Sequence, residues 1–263
     1  MITLSEFDGL RSRYAAMPMT GLRVTVQYKF GVLRQSYDLP TLDGLLAAMV
    51  VLAARKSPQL PDTPEAYDIP LPLQCLWRDE RGHPLWAASY FWPEGQVHQS
   101  ALIVHKRAIS GKWSQGKMYR GERRLRINTA AGVHKERQTP VAVETCVTGR
   151  YHALCIGNAD AIAELLEPCS LFSGRRNIGL GEVDRFRIEP VEIGSEDCLS
   201  DGDLLLRAVP ADAAHLLTRE PAELPSLVGW TPPQWKATLF SPGWRAGTAQ
   251  RGDDSEVDWF GAV

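Results

Sequence analysis

The stretch Leu22 to Val32, LRVTVQYKFGV, alternates apolar and polar residues and is rich in Val, Tyr and Phe. Successive side chains of a strand point to opposite faces, so this pattern reads as a half-buried strand. Thr41 then caps a helix that runs to about Lys56. Asp43 lies in its first turn, Leu, Ala, Met and Val fill its middle, and Arg55 and Lys56 close it, as the helix dipole favours. Asp43 and Gly44 are thus a dipole-matched first turn and a close-packing point. The five prolines between Ser57 and Pro72 make that segment a loop.

Strand-like pieces follow at Leu73 to Trp77 and Leu85 to Trp92, separated by the turn DERGHP. Val141 to Thr148 and Tyr151 to Ile156 form two more, joined at Gly149. Asn158 or Asp160 opens a second helix, ADAIAELLE, which Pro168 stops. A Gly-rich loop, GRRNIGLGEV (Gly174 to Val183), then feeds a strand from Val183 to Ile193. The order strand, helix, strands, helix, Gly-rich loop, strand is the split β-α-β arrangement of ferredoxin-like folds. The fold class expected is therefore α+β. RNA-recognition domains of this type use the open sheet face for single-stranded RNA.

Composition bounds the function. A hydrophobic fraction of 44% with 23% charged residues suits a globular chain of 263 residues, and the longest apolar run, Leu42 to Ala54, is too short to span a bilayer. The N-terminus MITLSEFDGLRSRY has no basic segment leading into an apolar core, so no membrane partner is expected and cytoplasm is the expected location. Five cysteines, at 75, 146, 155, 169 and 198, without C-x-x-C, read as buried free thiols.

Charge is unevenly distributed. Between His105 and Arg137 the chain carries ten Lys or Arg against two acids, a net of +8, whereas the remainder holds 19 basic and 29 acidic residues, a net of −10. Clustered cations on an acidic body suit a polyanion, because binding releases counterions from it. Trp113 and Tyr119 lie among Lys112, Lys117, Arg120, Arg123, Arg124, Arg126, Lys135 and Arg137 and can stack on bases. A solvated surface hairpin is the competing reading of this segment.

The Gly-rich loop matches neither a dinucleotide fingerprint nor a phosphate loop, since no G-x-G-x-x-G precedes a helix and no G-x-x-x-x-G-K-[ST] occurs. Two readings stay open: an anion-binding loop made of Arg175, Arg176, Asn177, Gly179 and Gly181, or a tight turn with solvated arginines.

The element order, the loop GRRNIGLGEV after the second helix, and the helix entry TLDGLLAA (Thr41 to Ala48) after the first strand resemble the RAMP superfamily of CRISPR effector proteins. Within it they are similar to the type IV subunit that resembles the fifth Cas protein. The resemblance covers roughly Leu22 to Glu192. It implies a ferredoxin-like (RRM-like) RAMP core over residues 22–192, with a basic inserted arm, or thumb, at about 93–139. Residues 1–21 are then an N-terminal tail, and 193–263 an irregular, acidic, Trp-rich C-terminal extension. Arg175, Arg176, Asn177, Gly179 and Gly181 would meet the RNA backbone, and the arm would clamp the guide. The implied partners are the 5′ handle of CRISPR RNA, the backbone RAMP and large subunits, and target DNA in the assembled complex.

Relatives in other CRISPR types cut precursor RNA without metal, moving protons with His, Lys or Tyr. His105, His134 and His152 are candidates here beside Lys106, Tyr119 and Lys135, on proximity to the basic arm alone. Neither G-x-S-x-G nor H-E-x-x-H occurs. The expectation is a non-catalytic RNA-holding subunit with no cofactor and no metal. An endoribonuclease on the same fold and a protein-interaction scaffold are the alternatives. The C-terminal portion, which from Val191 to Val263 holds twelve acids, five Lys or Arg, and Trp230, Trp235, Trp244 and Trp259, reads as a wrap that buries Trp against the core or as a docking surface.

Overall fold

The computed structural model describes residues 4–29, 32–33, 41–54, 69–106, 137–172, 181–232, 234 and 239–251. The stretch read as an N-terminal tail contains a helix, α1 (Leu4–Ala15). Its Tyr14 is buried, its Leu10 packs on the core, and Arg13 pairs with Glu164 at 2.8 Å. Strand β1 (Thr20–Tyr28) follows, burying Leu22, Val24, Val26 and Tyr28 on one face and turning Arg23, Thr25 and Gln27 to the other. The alternation continues to Val32 in the sequence, but β2 (Val32–Leu33) pairs with a strand of a different sheet, so that pattern is shared between two sheets.

Helix α2 (Leu42–Ala54) starts where the cap signal placed it, with the Gly44 N–H donating to Thr41 Oγ1 at 2.9 Å. A Cβ at Gly44 would lie 2.5 Å from Thr41 Oγ1, so it is a close-packing point. Strands β3 (Cys75–Arg78) and β4 (Pro84–Trp86) form a hairpin. Asp79 holds its turn together by accepting from the backbone N–H groups of Arg81 and His83. The sequence suggests one strand from Leu85 to Trp92; instead the chain leaves the hairpin after Trp86. It then runs beside a new neighbour through Ala88 and β5 (Trp92–Pro93).

Strands β6 (Val97–Lys106) and β7 (Arg137–Cys146) pair over ten residues each, with β2 on the far side of β7. Strand β8 (Arg150–Gly157) and helix α3 (Ala159–Leu166) follow, the helix capped by Asn158, whose Oδ1 accepts from the Ala161 N–H at 3.0 Å. Strand β9 (Val183–Pro190) completes a four-stranded sheet of order β5-β8-β1-β9, in which every neighbouring pair is antiparallel. Leu42, Leu46 and Val50 of α2 and Ile162 and Leu166 of α3 share one core with the inward side chains of β1 and β8. The helices therefore cover one face of the sheet, each buried Leu or Val contributing roughly 1.5–3 kcal/mol.

The C-terminal segment builds its own sheet from β10 (Val209–Pro210), β11 (Ser226–Gly229) and β12 (Phe240–Trp244), ordered β10-β12-β11. A second core of Leu85, Leu199, Val209, Val228 and Trp230 lies under it. Trp230 is 2% exposed and packs 5.6 Å from Trp77, while the Trp244 indole donates to Glu223 O at 2.8 Å. Trp235 and Trp259 lie outside the described residues. Arg207 joins the two cores: its guanidinium, 1% exposed, meets Asp43 Oδ2 at 3.0 Å. Asp43 is thus one half of a buried ion pair, beyond its place in a helix first turn.

Cys146, Cys155, Cys169 and Cys198 are buried free thiols and Cys75 is half-buried. Burial pushes the Cys198 thiol up to about 12. The molecule is a mixed α+β protein with antiparallel sheets and few helices. No helix among the described residues is long and apolar enough to cross a membrane.

Candidate nucleic-acid interface

The basic segment is mounted on the β6–β7 hairpin. Its ten register pairs begin at Val97 with Cys146 and end at Lys106 with Arg137. At about 3.4 Å per residue the hairpin is roughly 30 Å long. Lys106 and Arg137, both named from sequence, face each other as its last pair, and His105 pairs with Gln138 one step earlier. Lys112, Trp113, Lys117, Tyr119, Arg120, Arg123, Arg124, Arg126, Lys135 and His134 fall between the two strands, outside the described residues.

The hairpin base is fixed to the body. Val143, Glu144 and Cys146 are buried, the Cys146 thiol donates to Glu94 O at 3.1 Å, and Thr148 Oγ1 donates to the same oxygen at 2.7 Å. Tyr151 donates its hydroxyl to the buried Glu144 carboxylate at 3.4 Å. Burial, and then the neighbouring Glu144 charge, raise the Tyr151 pKa, so the phenol keeps its proton.

Arg175, Arg176, Asn177 and Gly179 also lie outside the described residues, but the stem of their loop is described. The Phe172 N–H donates to Gly181 O at 2.8 Å and the Val183 N–H to Ser170 O at 2.9 Å, so the eight intervening residues leave and return at one point. Gly181 is buried with φ +74°, a conformation that favours glycine. Next to the stem a cleft of about 520 Å³ opens between α3 and β9, lined by Leu166, Glu167, Cys169, Arg185 and Phe186 among others.

Replacing Gly181 by Val forces a β-branched residue into that conformation, at a cost of about 1–3 kcal/mol. The variant is expected to melt at lower temperature and, while folded, to bind RNA no better than Arg175→Ala. A melting temperature equal to wild type would contradict a positive φ at this stem.

His152 sits on β8, in a different sheet from His105, opposite Thr25 and Trp92. Its pKa is lowered, first by burial and then by Arg23, against a smaller opposing effect of Glu94. Among the described residues no group of three or more His, Cys, Asp or Glu is placed to hold a metal ion.

Sequence reasoning did not single out Arg23, Arg150, Arg185 and Arg187. The sheet register brings them to one surface, and the only local signal is the alternation within LRVTVQY and DRFRIEP. No curated protein matches the chain. A family model described as CRISPR type IV associated protein Csf3 matches residues 20–244, from the first residue of β1 to the last of β12 and well past Glu192, so the chain belongs to that family.

Proposed function

We propose that the chain is the guide-holding subunit of a type IV CRISPR effector complex. It grips the 5′ handle of the CRISPR RNA and seats the backbone RAMP and large subunits for target DNA binding, in the cytoplasm and without cutting RNA. Membership of the Csf3 family supplies the CRISPR context. The observation that carries the RNA-binding role is the ten-pair β6–β7 hairpin that mounts the +8 segment between its strands. A flexible basic tail would lose conformational entropy on binding, whereas here the strands that flank the basic segment, β6 and β7, are already paired.

A ferredoxin-like RAMP core is part of the same reading. It is supported by the antiparallel order β5-β8-β1-β9 with α2 and α3 on one face. The Gly-rich loop follows α3 directly, and its stem closes at Gly181. Arg175 and Arg176 then supply planar donors to phosphate while the glycines admit the backbone.

The experiment is a binding and cleavage assay of the purified chain with its own repeat RNA. Binding is expected to weaken steeply as salt rises, and the RNA to remain intact. Cleavage that disappears in His105→Ala, His134→Ala or His152→Ala would make the protein a nuclease. Binding indifferent to salt and competitor RNA would favour a scaffold for acidic proteins.

A further inference from the structure

Strand β9 ends the four-stranded sheet, and among the described residues it pairs as a strand with β1 alone. Two backbone bonds fix where its remaining polar groups point. The Val191 N–H donates to Gly21 O, toward β1, and bonding alternates along an antiparallel pair. Glu189, Arg187 and Arg185, which oppose Arg23, Thr25 and Gln27, therefore bond to β1. The Tyr28 N–H donates the other way, to Gly149 O beside β8, as the same alternation requires. The N–H and C=O groups of Phe186 and Ile188 thus point away from the sheet, along its edge.

The chain already pairs on the start of this edge. Leu171 bridges Glu182 and the Val183 N–H donates to Ser170 O, and beyond Val183 the edge faces α3 across the cleft of about 520 Å³. Every residue lining that cleft is described, and its Ile188 end is roughly 17 Å of strand from the Gly-rich loop stem at Val183. Leu166, Phe186 and Ile188 give it an apolar floor, and Phe186 and Ile188 are only half-buried although they pack on the core. Glu167 and Asp184 outnumber Arg185 among the lining residues, so the cleft does not suit phosphate. On the other face of the strand, Arg185 donates to the neutral Gln27 Oε1 at 3.1 Å. Arg187 meets Glu189 at 2.9 Å in an exposed pair of the kind that contributes little.

We propose that the β9 edge and its cleft are a strand-addition site for a neighbouring protein subunit, which inserts an extended segment of alternating apolar and acidic residues. The main chain of that segment pairs with the outward groups of Phe186 and Ile188. Its apolar side chains enter the cleft, and its carboxylates lie on the opposite face, about 5 Å across from Arg185 and Arg187. A groove between an edge strand and a helix suits this mode, because backbone bonds supply affinity while the pocket and the flanking charges select alternate side chains. A segment carrying lysine at the acidic positions is repelled by the same two arginines. The inference rests on the reading that this chain seats other subunits, and its test is run without RNA, so its failure leaves guide holding standing.

Full-length protein is titrated with a fluorescein-labelled peptide of about nine residues, a common strand length, in which valine alternates with glutamate. Amide exchange is followed residue by residue with and without it. The Phe186 and Ile188 amides are expected to exchange readily in the free protein and to become protected by the peptide, whereas those of Arg185 and Arg187 are protected in both states. Lysine in place of the peptide's glutamates should weaken binding about tenfold. Arg185→Glu with Arg187→Glu should reverse that preference, so that the lysine peptide binds the better of the two. Ile188→Pro removes one outward donor and leaves the bonds to β1, a change that edge strands tolerate, and it should abolish the protection at Phe186. Should the proline variant unfold, the charge reversal still decides. Binding indifferent to the sign of the peptide's charges, or binding that leaves the Phe186 and Ile188 amides exchanging freely, would overturn the proposal. So would protection of both amides in the free protein, which would mean that another part of this chain occupies the edge.

Discussion

Arg207→Ala is expected to cost about 3–5 kcal/mol of stability, because removing one partner of a buried ion pair strands the other charge. The guanidinium makes an unusually complete set of contacts. One Nη meets Asp43 Oδ2 at 3.0 Å and Trp230 O at 2.7 Å, the other meets Ala88 O at 2.8 Å and also Trp86 O, and Nε reaches Ala208 O at 3.4 Å. One side chain therefore serves a carboxylate on α2, the carbonyl of Trp86 at the end of β4 and that of Ala88 beyond it, the Trp230 carbonyl just past β11, and the adjacent Ala208 carbonyl. Truncation leaves all of them buried and without that donor, as well as an unfilled volume. Arg207→Lys should recover little, since an ammonium cannot reproduce the fork. Asp43→Asn should cost less than Arg207→Ala, because its side-chain oxygen still accepts. Urea denaturation measures the differences. A loss below about 1 kcal/mol for Arg207→Ala would mean that the two cores are not joined through this residue.

Neutralising Arg120, Arg123, Arg124 and Arg126 together with Gln is expected to have the largest effect on RNA binding. Single-stranded contacts contribute roughly 0.7 each to the log–log salt slope, so four lost contacts flatten it by about 3. At ~0.1 M salt this corresponds to at least a tenfold weaker complex. Folding is expected to be untouched, because in the sequence the four residues fall beyond the last described hairpin pair, Lys106 with Arg137. Titration at several salt concentrations separates a charge effect from lost structure. A slope equal to wild type would move the RNA-binding surface off the arm.

Local signals in the sequence were good guides where the cause was local. The alternation of Leu22, Val24 and Val26, the Thr41 and Asn158 caps and four of the five buried thiols reappear in the structure, Cys75 being half-buried. Features set by distant partners were not legible. Asp43 meets Arg207 from 164 residues away, so its first-turn position concealed an ion pair. Val32 continues the β1 pattern, yet Val32 and Leu33 pair with β7, a choice made by a segment more than 100 residues later. Helix α1 carries Gly9 in its middle, a poor helix former, and is held by Tyr14, Leu10 and the Arg13–Glu164 pair.

The C-terminal segment shows the same division. Its tryptophans signalled burial, and Trp230 is buried, but short strands such as β10 and β12 carry too few residues for a period to register. The candidate interface was legible as charge, through the +8 segment, and as turn chemistry, through Gly181. The arginines that share one surface of β8, β1 and β9 required the register of three strands, which no single stretch encodes.

Whether this chain holds guide RNA is decided by sequencing the RNA that copurifies with it when it is expressed beside its repeat array and partner subunits. RNAs that share one repeat-derived 5′ end are expected, retained by wild type and depleted in the Arg120, Arg123, Arg124 and Arg126 variant. Copurifying RNA with scattered 5′ ends, or none at all with the complex intact, would contradict guide holding.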